Sequence, residues 1–210
     1  MRGEIVWEYL VPEKRFVEAE LLANDNILYT VAGKGVYEID RDGNIVWSYL
    51  TKKIDHDADR LPNGNTIFVF GMEDQKSDAQ VIEVNPQGDV VWAWYAKDYF
   101  DKPPYDTIYD GGWAHTNAVS RLANGNTLIS PRNFNLVIEV DPQGAVVGTY
   151  GEGVFSSQHD PELLPSGNII AALQWRDRPH RAVEYDVKTG QIIWEYLIPD
   201  QSNWPVRDAN

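Results

Sequence analysis

A five-residue motif, Gly-x-(Ile/Val)-(Ile/Val)-Trp, recurs along the chain and constrains its fold more than any other feature. It stands as Gly3-Glu-Ile-Val-Trp7, Gly43-Asn-Ile-Val-Trp47, Gly88-Asp-Val-Val-Trp92 and Gly190-Gln-Ile-Ile-Trp194, with a degenerate copy at Gly144-Ala-Val-Val-Gly148. An alternating segment precedes each internal copy: Val36-Tyr-Glu-Ile-Asp40, Val81-Ile-Glu-Val-Asn85, Val137-Ile-Glu-Val-Asp141 and Ala182-Val-Glu-Tyr-Asp186. Earlier in each unit comes Leu-x-x-(Gly/Asp)-Asn, as Leu22-Ala-Asn-Asp-Asn26, Leu61-Pro-Asn-Gly-Asn65, Leu122-Ala-Asn-Gly-Asn126 and Leu164-Pro-Ser-Gly-Asn168. Repetition at this spacing makes the fold an array of one small unit.

Asn-Gly between two β-rich runs predicts a hairpin, through a type I′ turn whose two central residues take positive φ. Each unit then reads as four antiparallel strands. Four strands every forty-odd residues, without helical periodicity between them, predict an all-β fold, a β-propeller. The strand before the Asn-Gly turn should be innermost and the Trp strand outermost. The Trp rings are expected to pack one blade on the next, since aromatic side chains dominate cores by area.

The units run at about 17–50, 54–95, 113–150 and 156–197 within a single 210-residue domain. An insertion, 96–112, rich in aromatics and Asp, is expected to project as a long loop. The two ends read as parts of a fifth blade: Glu4–Leu10 as its outer strand, and 203–210 as the start of an inner one, because Arg207-Asp-Ala-Asn210 aligns with His56-Asp-Ala-Asp59. The two middle strands of that blade are missing. The chain is therefore expected to be a piece of a longer protein, to close irregularly, or to close with a second copy as a homo-oligomer.

Composition narrows the function. With no Cys there is no disulfide, thiolate nucleophile or Cys-ligated metal. The net charge of −14 opposes a nucleic-acid partner, which needs clustered Lys and Arg. No apolar run approaches the roughly 20 residues that span a bilayer, and the start has no signal-peptide pattern, so no membrane partner is expected.

The chain has four His, and three of them fall in register. His56 lies five residues before Leu61, His159 five before Leu164, and Asn117 five before Leu122, with His115 two earlier. Residues two apart on a strand share a face, so His115 and Asn117 are expected to point together into the channel with the other two imidazoles. The corresponding position is Val17 in the first unit and Arg207 in the partial one. A functional wall on some blades and filler on another suits one asymmetric site. His180, beside the basic run Trp175-Arg-Asp-Arg178, reads as solvated loop.

At these residues the chain resembles the arylsulfotransferase family, the PAPS-independent aryl-sulfate sulfotransferases built on a β-propeller. The resemblance rests on the repeated (His/Arg)-Asp-Ala-x-x-Leu-Pro-Asn-Gly-Asn and Gly-x-Val-Val-Trp elements, on His115-Thr-Asn117 followed by Ser130-Pro-Arg132, and on Gln158-His159. It implies a ping-pong transfer in which His159 attacks the sulfur of an aryl sulfate and the resulting sulfohistidine passes its sulfuryl group to a phenol. Arg132, Asn117, His115 and His56 would bind sulfuryl oxygens, one imidazole also carrying the phenolic proton. Arg207, Tyr105 and Trp113 are further candidates for substrate contact. No cofactor is expected, and aryl sulfates and phenols are the expected partners. The residue types suit this chemistry, since imidazole is a competent nucleophile near neutral pH and fixed donors stabilise charge developing on oxygen. The chain departs from the family in Pro131, in lacking a cysteine pair and in size. The family's usual export implies a periplasmic or secreted protein.

Two other readings compete. Asp186-Val-Lys-Thr-Gly-Gln-Ile-Ile-Trp194 has the shape of a PQQ-type repeat, which points to a non-catalytic binding or assembly propeller completed at open sheet edges. Three imidazoles, His56, His115 and His159, with Asp57 or Asp160, would also suit catalytic zinc, although Arg132 beside them would repel a cation.

Overall fold

The computed structural model describes residues 3–174 and 179–198. Its sixteen strands are β1 Phe16–Leu21, β2 Ile27–Val31, β3 Gly35–Ile39, β4 Ile45–Leu50, β5 Ala58–Arg60, β6 Thr66–Val69, β7 Val81–Val84, β8 Val90–Trp94, β9 Thr116–Arg121, β10 Thr127–Pro131, β11 Val137–Val140, β12 Val146–Tyr150, β13 Gln158–Leu163, β14 Ile169–Leu173, β15 Arg181–Asp186 and β16 Gln191–Leu197. They form four four-stranded sheets in sequence order, β1 to β4, β5 to β8, β9 to β12 and β13 to β16, and every pairing is antiparallel. These are the blades of a β-propeller. The inner strands β5 and β9, and β9 and β13, lie against one another across blade boundaries.

The hairpin turns differ from the expected type I′ form. Leu61 N–H donates to Asn65 O and Gly64 N–H to Leu61 O, while only Gly64 of the Asn63-Gly64 pair takes positive φ (86°). This is the three-residue loop in which a type I turn is followed by one left-handed residue. The loop repeats at Gly125 and Gly167, and in the first blade Asp25 takes the left-handed place at φ 68°.

The Asn after that residue has a second task. Asn26, Asn65, Asn126 and Asn168 each donate Nδ2 to a glutamate in the third strand of their own blade, Glu38, Glu83, Glu139 and Glu184. Two of these carboxylates also pair with an arginine of the next inner strand, Glu38 with Arg60 at 2.8 Å and Glu83 with Arg121 at 2.6 Å. Those guanidinium groups lie over Trp47 (4.9 Å) and Trp92 (5.6 Å). Carboxylate, arginine and indole together clasp neighbouring blades, combining a part-buried ion pair with a cation–π contact.

A further indole contact repeats between blades. Trp47 Nε1 donates to Pro86 O and Trp94 Nε1 to Gly144 O, each in the outer turn of the next blade. Trp7 does the same to Arg41 O, so the segment before β1 packs on the first blade as an outer strand packs on its successor. Residues 3–11 form no ladder, however, because a strand needs a partner for its backbone groups and the described residues supply none there. The expected inner strand at 203–210, with Arg207, lies outside the described residues. Trp194 on β16 is 49% exposed, in contrast to Trp47 and Trp92.

The insertion does not project. It forms a short helix, α1 (Lys97–Phe100), and its Phe100 and Tyr105 pack on Phe134 together with Trp113, which follows it. Phe100 is core and Tyr105 packs against it, while Tyr99 and Tyr109 stay exposed; the largest buried cluster runs from Leu61 and Val69 through Trp94 and Phe100 to Ile138. Among the described residues no helix is long and apolar enough to cross a membrane.

Candidate functional site

Three imidazoles meet at one end of the inner strands. The His56 ring lies 5.2 Å from that of His115 and 6.4 Å from that of His159. The three rings come from three consecutive blades, so only the tertiary arrangement brings them together. His56 and His115 precede their strands and have φ of 64° and 47°, whereas His159 lies within β13 between Ser157 (φ 44°) and Asp160 (φ 49°). Left-handed backbone at non-glycine residues is costly and persists where surrounding contacts hold it. The two-residue period expected to align His115 with Asn117 does not apply, because His115 is not in extended conformation.

The contacts that hold this backbone are visible. Asp74 Oδ1 accepts from His115 N–H (3.0 Å), Asp74 Oδ2 accepts from Ala114 N–H (3.2 Å), and Gln80 Nε2 donates to the same carboxylate (3.0 Å). Burial raises the Asp74 pKa, opposed by these donors. Gly71 leaves room for His56, since a Cβ there would stand 2.8 Å from His56 Nδ1 and 2.6 Å from Thr116 O. Neither Asp74 nor Gly71 carries a motif that sequence reading could find. The only sequence signal is that both lie in an irregular stretch between two strands.

Ring orientation follows from two carbonyls. His159 Nδ1 lies 3.0 Å from Ser157 O, and His115 Nδ1 lies 3.0 Å from Asp110 O. A carbonyl oxygen only accepts, so each Nδ1 carries the proton, and in the neutral ring Nε2 keeps its lone pair. His56 Nδ1 is 3.4 Å from Asp55 Oδ1 without hydrogen-bond geometry, and is buried. Burial lowers the His56 pKa to about 4, with Asp55 opposing and the other two imidazoles and Arg132 adding to the fall. Burial also lowers that of His159, against the Ser157 hydrogen bond that raises it. His56 and His159 are therefore neutral imidazoles at pH 7.

Arg132 opens a 3₁₀ turn directly after β10, where Pro131 ends the strand. Its Nη1 bonds Asn133 Oδ1 at 3.0 Å and pairs with Asp110 Oδ2 at 3.5 Å. Buried Asn133 gathers the end of the insertion, donating Nδ2 to the carbonyls of Asp110, Gly112 and Trp113. Asn117 donates to Gln158 O (2.8 Å), tying β9 to the residue before His159 and leaving one amide N–H of its pair. Gln158 is fully buried and donates Nε2 to Ser130 Oγ (3.0 Å), Leu136 O (2.8 Å) and Pro131 O (3.4 Å). Ser130 thus serves Gln158. Trp113 is 2% exposed and gives its Nε1 to Tyr105 O, while Tyr105 bonds Glu152. Both belong to the packing under the insertion and not to the ring of imidazoles.

Further along the inner strands the charge reverses. A cavity of about 490 Å³ is lined by Glu18, Asp57, Asp59, Asp160 and Glu162 among others. Burial raises Asp57 well above the usual carboxylate range and lifts Asp59 to about 7, their neighbouring carboxylates adding to it. Imidazoles and a guanidinium stand at one end of the inner strands and carboxylates line the cavity further along. Among the described residues no three His, Asp or Glu side chains are grouped as ligands for a metal ion, and Arg132 adds to the His56 and His159 shifts. The zinc expectation thus finds no ligand cluster in this geometry.

Three imidazoles and a guanidinium are thus gathered at one end of the inner strands of a β-propeller. The chain belongs to the arylsulfotransferase (ASST) family, whose model matches residues 1–153. Among solved structures it is similar to a protein of unknown function from Bacteroides caccae (21% identity, TM-score 0.64, covering 94% of this chain and 66% of that one). It is also similar to virginiamycin B lyase from Staphylococcus aureus (12% identity, TM-score 0.60, 95% and 61%) and to the WD40 β-propeller domain of Doa1 (16%, 0.55, 85% and 52%). At these identities the likeness is one of fold. The chain spans less than two thirds of the length of each of them. No curated protein matches it.

Proposed function

We propose that the protein transfers a sulfuryl group from an aryl sulfate to a phenol, with His159 Nε2 as the nucleophile. The observation that carries this reading is the Nδ1 contact of His159 with Ser157 O, which leaves Nε2 unprotonated beside Arg132 and two further imidazoles. In the first half-reaction the Nε2 lone pair attacks sulfur, the bond between sulfur and the aryl oxygen breaks, and the phenoxide leaves with its electron pair. Positive charge developing on the sulfated ring is stabilised through Nδ1–H by the Ser157 carbonyl. In the second half, His115 Nε2 takes the proton of the acceptor phenol, the phenoxide attacks sulfur, and the electron pair of the S–N bond returns to His159. His115 then returns its proton to the phenoxide leaving the next donor. Arg132, with the remaining Asn117 N–H, offers donors to the sulfuryl oxygens, where charge shifts during transfer and fixed donors act most strongly.

Incubation with 4-nitrophenyl sulfate and a phenol should release 4-nitrophenol and form the sulfated acceptor, and His159→Ala should abolish both. No turnover by a folded wild-type protein overturns the reading. The exposed apolar face of β16, with Ile193, Trp194 and Tyr196, favours a second reading as a binding propeller, and that outcome would leave it standing.

A further inference from the structure

One residue near the end of the insertion, Asp110, makes contact at two places, with His115 and with Arg132. Asp110 O accepts from His115 Nδ1 (3.0 Å) and from Asn133 Nδ2 (3.1 Å), while its N–H donates to Gly112 O (3.0 Å). Its backbone is therefore pinned. Gly111 (φ 65°) and Gly112 (φ 135°) provide the turn that allows this, and a Cβ on Gly112 would collide with Asp74 Oδ1. The Asp110 carboxylate reaches out to Arg132 Nη1 at 3.5 Å, with its side chain 49% exposed against 17% for Arg132. An anion that is to use Arg132 finds this carboxylate already paired with it.

We propose that Asp110 is the resident counter-ion of Arg132 and sets the threshold for sulfate-monoester binding at this site. The proposal rests on the reading of Arg132 as the anion site. The main-chain carbonyl of Asp110 fixes the His115 tautomer and is unaffected by side-chain substitution, so the two roles separate. The carboxylate competes with the incoming sulfate group, because both are anions seeking the same donor. A partly exposed pair of this kind is worth about 1 kcal/mol at most, about 5-fold in binding, and is readily displaced.

The test compares binding of 4-nitrophenyl sulfate by titration calorimetry in a His159→Ala background, with and without Asp110→Asn, at low ionic strength. Replacing the carboxylate by an isosteric amide should tighten binding by roughly 2- to 5-fold, the range of an exposed ion pair. Binding of uncharged phenol should not change, and added salt should erase the difference. Asp110→Glu, which keeps the charge, should bind the sulfate ester as weakly as the parent. Equal or weaker sulfate-ester binding by Asp110→Asn, or an equal gain for phenol, overturns the proposal. Its failure is distinct from failure of the transfer reading. Turnover with no Asp110 effect sinks only the counter-ion, whereas tighter binding in Asp110→Asn, lost on Arg132→Ala, in a protein that never turns over, sinks only the chemistry.

Discussion

Replacing Gln158 by leucine tests whether the residue before His159 holds two blades together. The side chain is fully buried and its Nε2 donates to Leu136 O at 2.8 Å and Ser130 Oγ at 3.0 Å, with a longer contact to Pro131 O. Leucine fills a similar volume and strands both close acceptors, each costing about 1–3 kcal/mol as a buried group left unpaired. Against this, Gln158 Oε1 is itself buried without a partner, so its removal returns about as much as one such group. The net loss is about 1–3 kcal/mol. Urea unfolding followed by tryptophan fluorescence measures it, the chain holding 8 Trp. Gln158→Glu sharpens the test, because an ionised carboxylate cannot donate and faces Leu136 O with an acceptor. It should be less stable than the leucine variant at pH 8 and recover toward pH 5, where a protonated carboxyl regains one O–H donor. A leucine variant as stable as wild type, or a glutamate variant equal to it at both pH values, would refute the tether.

Gly71→Ala places a Cβ 2.8 Å from His56 Nδ1 and 2.6 Å from Thr116 O, and backbone on that side cannot yield cheaply. Tm should fall, as for overpacking of about 1–3 kcal/mol, and turnover should fall by about 10²-fold if the imidazole moves by 1 Å. Unchanged activity would show that His56 takes no part. The acid limb of the pH–rate profile should have its midpoint below 6.5, because the nucleophile must be neutral and burial lowers the His159 pKa from that value. A midpoint at or above 6.5 in kcat/KM would contradict the environment assigned to His159.

Much of the fold is legible in the repeats, because alternation of buried and exposed positions along a strand and left-handed residues at turns are local requirements. Leu61 to Asn65 announces a hairpin whatever surrounds it, although the turn type was decided by one glycine and not by two residues. The insertion was misleading for a physical reason: Phe100 and Tyr105 have the composition of an exposed aromatic loop, and only Phe134 and Trp113 beside them draw them into the packing. The register of His56, Asn117 and His159 pointed to residues that the fold brings close together, but not to the contacts they make. Asn117 and Gln158 tie β9, β10 and β13 together, and Asp110, Asn133, Asp74 and Gly71 act on the site from segments without a motif.

The sequence by itself determined a propeller built from repeated four-stranded units and placed His56, Asn117 and His159 at matching points of those units, with His115 two residues from its point, since both are encoded by spacing along the chain. The tertiary structure alone decided which ring nitrogen of His115 and of His159 carries the proton, how far the His56 pKa falls, and which carboxylate sits on Arg132. Those properties depend on burial and on groups contributed by other segments of the chain: Asp110 lies 22 residues from Arg132, and Asp74 lies 41 residues from His115.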